Sequence, residues 1–187
     1  MARYVSMLRG INVGGQRTVK MEDLKEIYAS LGFEHPKTYL QSGNIVFDGP
    51  DGDATTLERN VSANIGKALG LDVTVIVRTA DEFRAVIDSM PFSGRDAEKL
   101  YVTFLSEKPV GFPLVKVERA KDSSEECVLR GREIYLFCPN GYGRTKLSNS
   151  FFERNLKVSA TTRNWRTVNS LASMASQRGT GETTTNF

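Results

Sequence analysis

One histidine, two cysteines and one tryptophan in 187 residues leave little material for several kinds of chemistry. A zinc site built on Cys127 and Cys138 would need further Cys or His ligands. His35 is the one histidine of the chain, so no metal is expected. No apolar run approaches the roughly 20 residues that cross a bilayer. The opening Met-Ala-Arg-Tyr-Val is not a charged region followed by an apolar stretch and a cleavage site. The expectation is therefore a cytoplasmic setting with no membrane partner. There is no Gly-x-Ser-x-Gly nucleophile elbow, and Gly14-Gly15-Gln16-Arg17-Thr18 lacks the Gly-Lys-Ser/Thr ending of a Walker loop. Asp48, Asp51 and Asp53 alternate in a turn-rich stretch, but no glutamate follows at the EF-hand position.

What is present is ordinary in bulk and uneven in detail. Apolar residues make up 40% and charged residues 25%, the proportions of a globular chain long enough for one large domain or two small ones. The net charge of +3 is not shared equally. Residues 1–93 carry ten basic and twelve acidic side chains, whereas residues 94–187 carry fifteen and ten. Within 130–178, nine basic residues face only Glu133 and Glu153. A local basic surface attracts phosphates and nucleic acid, although a solvated helix face with a chance surplus explains it equally well.

Hydrophobic periodicity divides the chain into two similar series. Residues 3–9 read as a strand, 21–32 as a helix closed by Gly32, 37–48 as a hairpin around Ser42-Gly43, 54–70 as a helix, 72–79 as a strand, and then a helix capped by Thr79. That is the split βαβ order plus one helix. After a linker at 91–96 the pattern restarts. It runs through a strand at 100–105, a weak Pro-punctuated segment at 109–121, a hairpin at 125–138 around Gly131-Arg132, a helix at 147–156, a strand at 158–162 and a helix at 165–177 capped by Asn164. The expected fold is α+β, with two ferredoxin-like halves (1–92 and 97–177) related by duplication. A Gly- and Thr-rich tail, 178–187, is expected to be disordered.

In the first hairpin a two-residue turn places Gln41 opposite Asn44, Leu40 opposite Ile45 and Thr38 opposite Phe47. Thr38, Leu40, Ile45 and Phe47 then form the core face, with Tyr39 and Val46 on the other. In the second hairpin Cys127 faces Leu136 and Cys138 faces Glu125. Both thiols then share an apolar face with Leu129, Ile134 and Leu136, as diagonal neighbours too far apart for an unstrained disulfide. They read as small reduced hydrophobes.

Three polar clusters are candidates for a site. The first is the loop Arg9-Gly10-Ile11-Asn12-Val13-Gly14-Gly15, where glycine freedom brings backbone near a ligand and Arg9 supplies charge. The alternative is a structural turn in which Asn12 bonds its own backbone. The second is Gly141-Tyr142-Gly143-Arg144-Thr145-Lys146-Leu147-Ser148-Asn149, which would gather Arg144 and Lys146 at a helix start. The third is Thr161-Thr162-Arg163-Asn164-Trp165-Arg166. Its tryptophan either stacks on a base or anchors the last helix. His35 has no paired nucleophile and reads as a surface turn residue.

The opening motif, with Met21, Leu24 and Thr38-Tyr39-Leu40-Gln41-Ser42-Gly43-Asn44-Ile45-Val46-Phe47, resembles the bacterial domain of unknown function 1697 family. Lys146-Leu147 and Thr161-Thr162-Arg163-Asn164-Trp165 resemble its C-terminal motif, with Thr145-Lys146 where the family usually has Ser-Lys. The resemblance spans about residues 3–177. It implies an α+β fold with ferredoxin-like halves and no particular reaction, substrate or cofactor.

These observations leave three readings. In the first, Arg9, Asn12, Gly14, Gly15, Gln41, Ser42, Asn44, Arg144, Lys146, Arg163 and Asn164 form a donor-rich site. Its partner is a nucleotide, phosphorylated metabolite or single-stranded nucleic acid. In the second, the protein is a transferase or hydrolase acting on a phosphorylated substrate. In the third, the polar motifs lock the two halves together and serve structure or protein interaction.

Overall fold

The computed structural model describes residues 1–15 and 17–177, so the expected disordered tail lies outside the described residues. Its element order is β1 (Ala2–Leu8), α1 (Met21–Ser30), β2 (Glu34–Tyr39), β3 (Asn44–Gly49), α2 (Ala54–Leu69), β4 (Val75–Thr79) and α3 (Ala80–Asp88). There follow β5 (Leu100–Leu105), α4 (Leu114–Ala120), β6 (Glu126–Arg130), β7 (Glu133–Phe137), α5 (Asn149–Leu156), β8 (Ala160–Asn164) and α6 (Trp165–Ser176). The strands form two four-stranded sheets of order β2-β3-β1-β4 and β6-β7-β5-β8. All their pairings are antiparallel. The weak segment at 109–121 does contain a helix, α4, seven residues long, which starts directly after Pro113.

Each sheet is buried on both faces, which is why β1 and β5 read as near-continuous apolar runs. Helices α1 and α2 cover one face of the first sheet. Leu24, Tyr28, Val61 and Ile65 there pack on Ile45 and Phe47. Helices α4 and α5 cover the corresponding face of the second, bringing Val117 and Phe152 onto Leu136 and Cys138. Between the remaining two faces lie α3 and α6, which touch each other and both sheets. Val5, Val46, Phe83, Phe104, Tyr135 and Leu171 share this middle core. The Phe83 and Phe104 rings stack at 5.3 Å there. The face carrying Tyr39 and Val46 and the face carrying Tyr135 and Phe137 are both turned into this shared core.

The two central strands end alike. The amide of Leu8 donates to Gly43 O and that of Arg9 to Thr74 O, each at 2.9 Å. The amide of Leu105 donates to Arg132 O and that of Ser106 to Ser159 O, each at 2.9 Å. The helices after β4 and β8 are capped alike too. Thr79 Oγ1 accepts from Glu82 N at 3.1 Å, and Asn164 Oδ1 accepts from Thr167 N at 2.8 Å.

The second hairpin has the expected register, with Cys127 opposite Leu136 and Arg130 opposite Glu133 across Gly131-Arg132. The first does not. Thr38 pairs with Ile45 and Tyr39 with Asn44, so the turn is four residues, 40–43, instead of two. Leu40 is therefore a turn residue at φ 57 and lies exposed instead of in the core. The physical reason is Gly43, held at φ 70 against Leu8 and Ile11. A Cβ at that position would lie 2.7 Å from Ile11 Cδ1 and 2.8 Å from Leu8 Cβ. The need for close approach at Gly43 sets where the turn closes.

Candidate functional site

Arg163 is a buried cation where the two sheets meet. It projects from β8 and is 9% exposed. Its Nε donates to Asn44 Oδ1 at 2.6 Å. Nη1 donates to Thr161 Oγ1 at 2.7 Å and to Thr162 O at 3.0 Å. Nη2 donates to Leu8 O at 2.7 Å and to Ser42 O at 3.1 Å. All five acceptors are neutral. A guanidinium has five N–H donors, so its hydrogen bonds are complete while its charge is not balanced. Desolvation pulls its pKa down to about 10, which leaves it protonated at neutral pH.

Arg78 on β4 is its counterpart at the other end of the sheets. Its Nη2 donates to Leu105 O at 2.7 Å and its Nη1 to Val77 O at 3.0 Å. Its Nε, however, donates to the carboxylate of Glu133 at 2.9 Å. Burial lowers the Arg78 pKa, and Glu133 opposes that. Asn44 and Glu133 are each the first residue of the strand beside the central one. An amide therefore stands at one end where a carboxylate stands at the other.

An open cleft of ≈ 770 Å³ lies over the Arg163 end, lined by residues of both halves. One wall is a chain of hydroxyls. Thr162 Oγ1 donates to Asn149 Oδ1 at 2.6 Å, receives the Tyr142 hydroxyl at 3.0 Å, and shares a 2.7 Å bond with Thr103. Burial raises the Tyr142 pKa, while the Thr162 bond and the Arg9 charge oppose the rise. Since Asn149 Oδ1 is taken by Thr162, the NH₂ end of that amide is the end left to donate. Ser148 caps α5, its Oγ accepting from Phe151 N at 3.2 Å.

The structure divides the residues picked from sequence. Arg9, Ser42, Arg163 and Asn164 line the cleft. Arg9 is held there by Glu153 of α5, with Nη2 donating to Oε2 at 2.7 Å and Nε 2.6 Å from Oε1 in a poorly aligned contact. Its charge is therefore matched by Glu153. Asn12 clasps its own loop. Its amide donates to Val19 O at 2.9 Å and to Gln41 O at 2.7 Å, and its Oδ1 accepts from Val19 N at 2.7 Å. Asn44 is fully buried, donating to Tyr39 O and Ser42 Oγ. Gly14 and Gly15 are exposed at positive φ. Gln41, Arg144 and Lys146 are exposed and do not line the cleft.

Asn164 serves as the N-cap of α6, and Trp165 packs against the middle core, which is the anchoring alternative. His35 is exposed, with Nδ1 3.0 Å from Asp48 Oδ2. It lies within β2, at a bulge, and not in a turn before it. Cys127 and Cys138 are free thiols pushed up to about 12 by burial. From the second cluster sequence reasoning picks Arg144 and Lys146, whereas the cleft is lined by its uncharged members Tyr142 and Asn149; from the third it picks Arg163 and Asn164 and misses Thr162 beside them. Tyr142 between two glycines and Asn149 after the capping Ser148 were the available signal, which periodicity does not weigh.

The chain belongs to the family described as protein of unknown function (DUF1697), whose model matches residues 1–135. No curated protein matches it. Among solved structures it is similar to a conserved bacterial protein from Streptococcus pneumoniae. The two share 24% identity, 93% of this chain and 98% of that one are covered, and the TM-score is 0.70. This likeness shows the fold. Among the described residues no helix is long and apolar enough to cross a membrane.

Proposed function

We propose that the protein binds a small anionic ligand in the cleft over Arg163. One observation carries this reading: Arg163 is buried with only neutral acceptors, while its counterpart Arg78 is neutralised by Glu133. A buried charge without a counter-charge is costly. Of two similar ends, one meets that cost from within the protein and the other leaves it to whatever enters the cleft. The hydroxyls and amide of the wall suit an oxyanion.

We also propose that residues 1–92 and 97–177 are two ferredoxin-like units derived from one ancestor by duplication. The shared strand order, strand-end hydrogen bonds and caps support this. The pairings Arg9–Glu153 and Arg163–Asn44 join the halves. They favour a second reading, in which these groups also serve to lock the units together.

The test is a thermal-shift panel of inorganic phosphate, sugar phosphates, nucleotides and short single-stranded RNA and DNA. A ligand at 100 times its dissociation constant adds about 2.7 kcal/mol to stability. Asn44→Asp would set a carboxylate against Arg163, and Asn149→Asp would place one in the first turn of α5, where acids suit the helix. Both variants are expected to stay folded and to lose the anion response. Full retention of the response in both would sink the reading. A response to oligonucleotides alone would move it from a small ligand to nucleic acid.

A further inference from the structure

The two walls of the cleft differ in chemistry. Besides the hydroxyls of Thr162 and Tyr142, the lining holds an apolar part contributed by the first half, next to Arg9, Arg17 and Ser42. Val13 is 67% exposed and Leu40 57% exposed, and both line the cleft. Ile11, buried beneath them, lines it too.

Neither side chain is explained by the fold. Leu40 sits at φ 57, a left-handed conformation that costs a residue with a Cβ about 1 kcal/mol or more and that Asn or Gly takes more readily. Solvent also favours a polar residue there. A leucine is disfavoured on both counts unless something covers it. Val13, between Asn12 and Gly14 in the Arg9 loop, is likewise an exposed apolar side chain.

The charge available is small. Arg9 is matched by Glu153. That leaves Arg163 on the floor and Arg17, which is exposed on the rim. Two positive charges balance a dianion and fall short of a triphosphate. The space, ≈ 770 Å³, lies within the roughly 300–1,000 Å³ of small-molecule pockets and is far larger than one phosphate needs.

We propose that the ligand is a phosphate monoester whose organic group is flat or apolar, in the class of a nucleoside monophosphate or an aryl phosphate. The phosphate faces Arg163 and the Asn149–Thr162 wall, and the organic group lies against Val13 and Leu40. This rests on the anion-binding reading above and specifies its ligand.

Calorimetric titration at fixed ionic strength tests it, with inorganic phosphate, ribose 5-phosphate, uridine monophosphate, phenyl phosphate and benzoate as probes. The expected result is that uridine monophosphate and phenyl phosphate bind at least about tenfold more tightly than inorganic phosphate and ribose 5-phosphate, as burial of one apolar contact surface predicts. Leu40→Asn, which suits the backbone, and Val13→Ser are each expected to remove most of that advantage while phosphate binding stays the same. Equal affinity for all four phosphates, or an advantage that survives both substitutions, would overturn the monoester assignment and leave anion binding standing. Benzoate binding as tightly as phenyl phosphate would overturn the phosphate head in favour of a carboxylate. Failure of every probe to bind would remove the anion-binding reading and this inference with it.

Discussion

Arg163 Nε donates to Asn44 Oδ1 at 2.6 Å, and this bond joins the last strand of the second sheet to the inner hairpin strand of the first. Arg78 makes the same reach in the opposite direction but ends on Glu133, at 2.9 Å. The difference between an amide and a carboxylate at equivalent places decides which end keeps a net charge. It also predicts unequal behaviour on mutation.

Glu133→Gln keeps an acceptor for Arg78 and removes its counter-charge. With Arg78 almost fully buried, the loss is expected to be about 1–3 kcal/mol, or a melting temperature several degrees lower for a chain of this size. Asn44→Asp adds a counter-charge and costs the donors to Tyr39 and Ser42, so its melting temperature is expected to change less than that of Glu133→Gln. Equal losses in the two variants, read by calorimetry, would contradict the asymmetry.

Gly43→Ala tests why the first hairpin closes where it does. The added methyl meets Ile11 Cδ1 at 2.7 Å and Leu8 Cβ at 2.8 Å, at a backbone φ of 70. Strain and overpacking together are expected to destabilise by about 2–4 kcal/mol. Gly14→Ala has the same sign of φ and open space around it, so it should lose only about 1 kcal/mol. Chemical denaturation of both variants separates packing from backbone strain. A Gly43→Ala loss no larger than that of Gly14→Ala would show that close approach is not the constraint.

The order of elements was legible because it depends on periodicity and caps, which lie within a few residues of each other. The second hairpin was legible for the same reason: Gly131 marks a two-residue turn and the alternation on either side agrees with it. The first hairpin misled because its turn is fixed by contacts from Leu8 and Ile11, far back along the chain. The site was legible only in part. Arg163, Ser42 and Asn164 lie in motifs that drew attention by density of polar groups. That Arg9 is matched by Glu153, 144 positions later, depends on how the halves dock, which no local pattern encodes. The roles of Thr162 and Asn149 follow from the same docking.

The thiols offer a prediction on the alkaline side. Burial pushes Cys127 and Cys138 up to about 12, against about 8.5 for a free cysteine. A group whose folded pKa is raised contributes stability that is intact below its unfolded value and lost as pH climbs toward the folded one. Stability is therefore expected to fall between about pH 8.5 and 12, and Cys127→Ala/Cys138→Ala to lose part of that slope. At pH 8 both thiols should react with a disulfide reagent far more slowly than in the urea-unfolded chain, since the thiolate is the nucleophile. Prompt reaction of Cys138, the fully buried thiol of the two, in the folded protein would show that it is not sealed in the second core.

On the acid side the informative pair is Arg3 with Asp48. Arg3 Nε donates to Oδ1 at 2.7 Å and Nη2 to Oδ2 at 2.8 Å, a two-pronged grip on a part-buried carboxylate. The hydrogen bonds from Arg3 hold the Asp48 pKa below the ordinary carboxylate value despite burial, and His35 adds to the effect. Because the folded pKa is depressed, the stabilisation is present above the unfolded value of about 3.9 and disappears as pH falls through the folded one. Asp48→Asn is therefore expected to cost about 1–2 kcal/mol at pH 7. The gap between variant and wild type should close as pH falls below the unfolded carboxylate value and on through the depressed folded one, where the wild-type carboxylate also takes up its proton. Urea midpoints measured from pH 7 to pH 2 read this directly. A gap that stays constant across that range would mean that the grip stabilises through shape alone and not through the charge on Asp48.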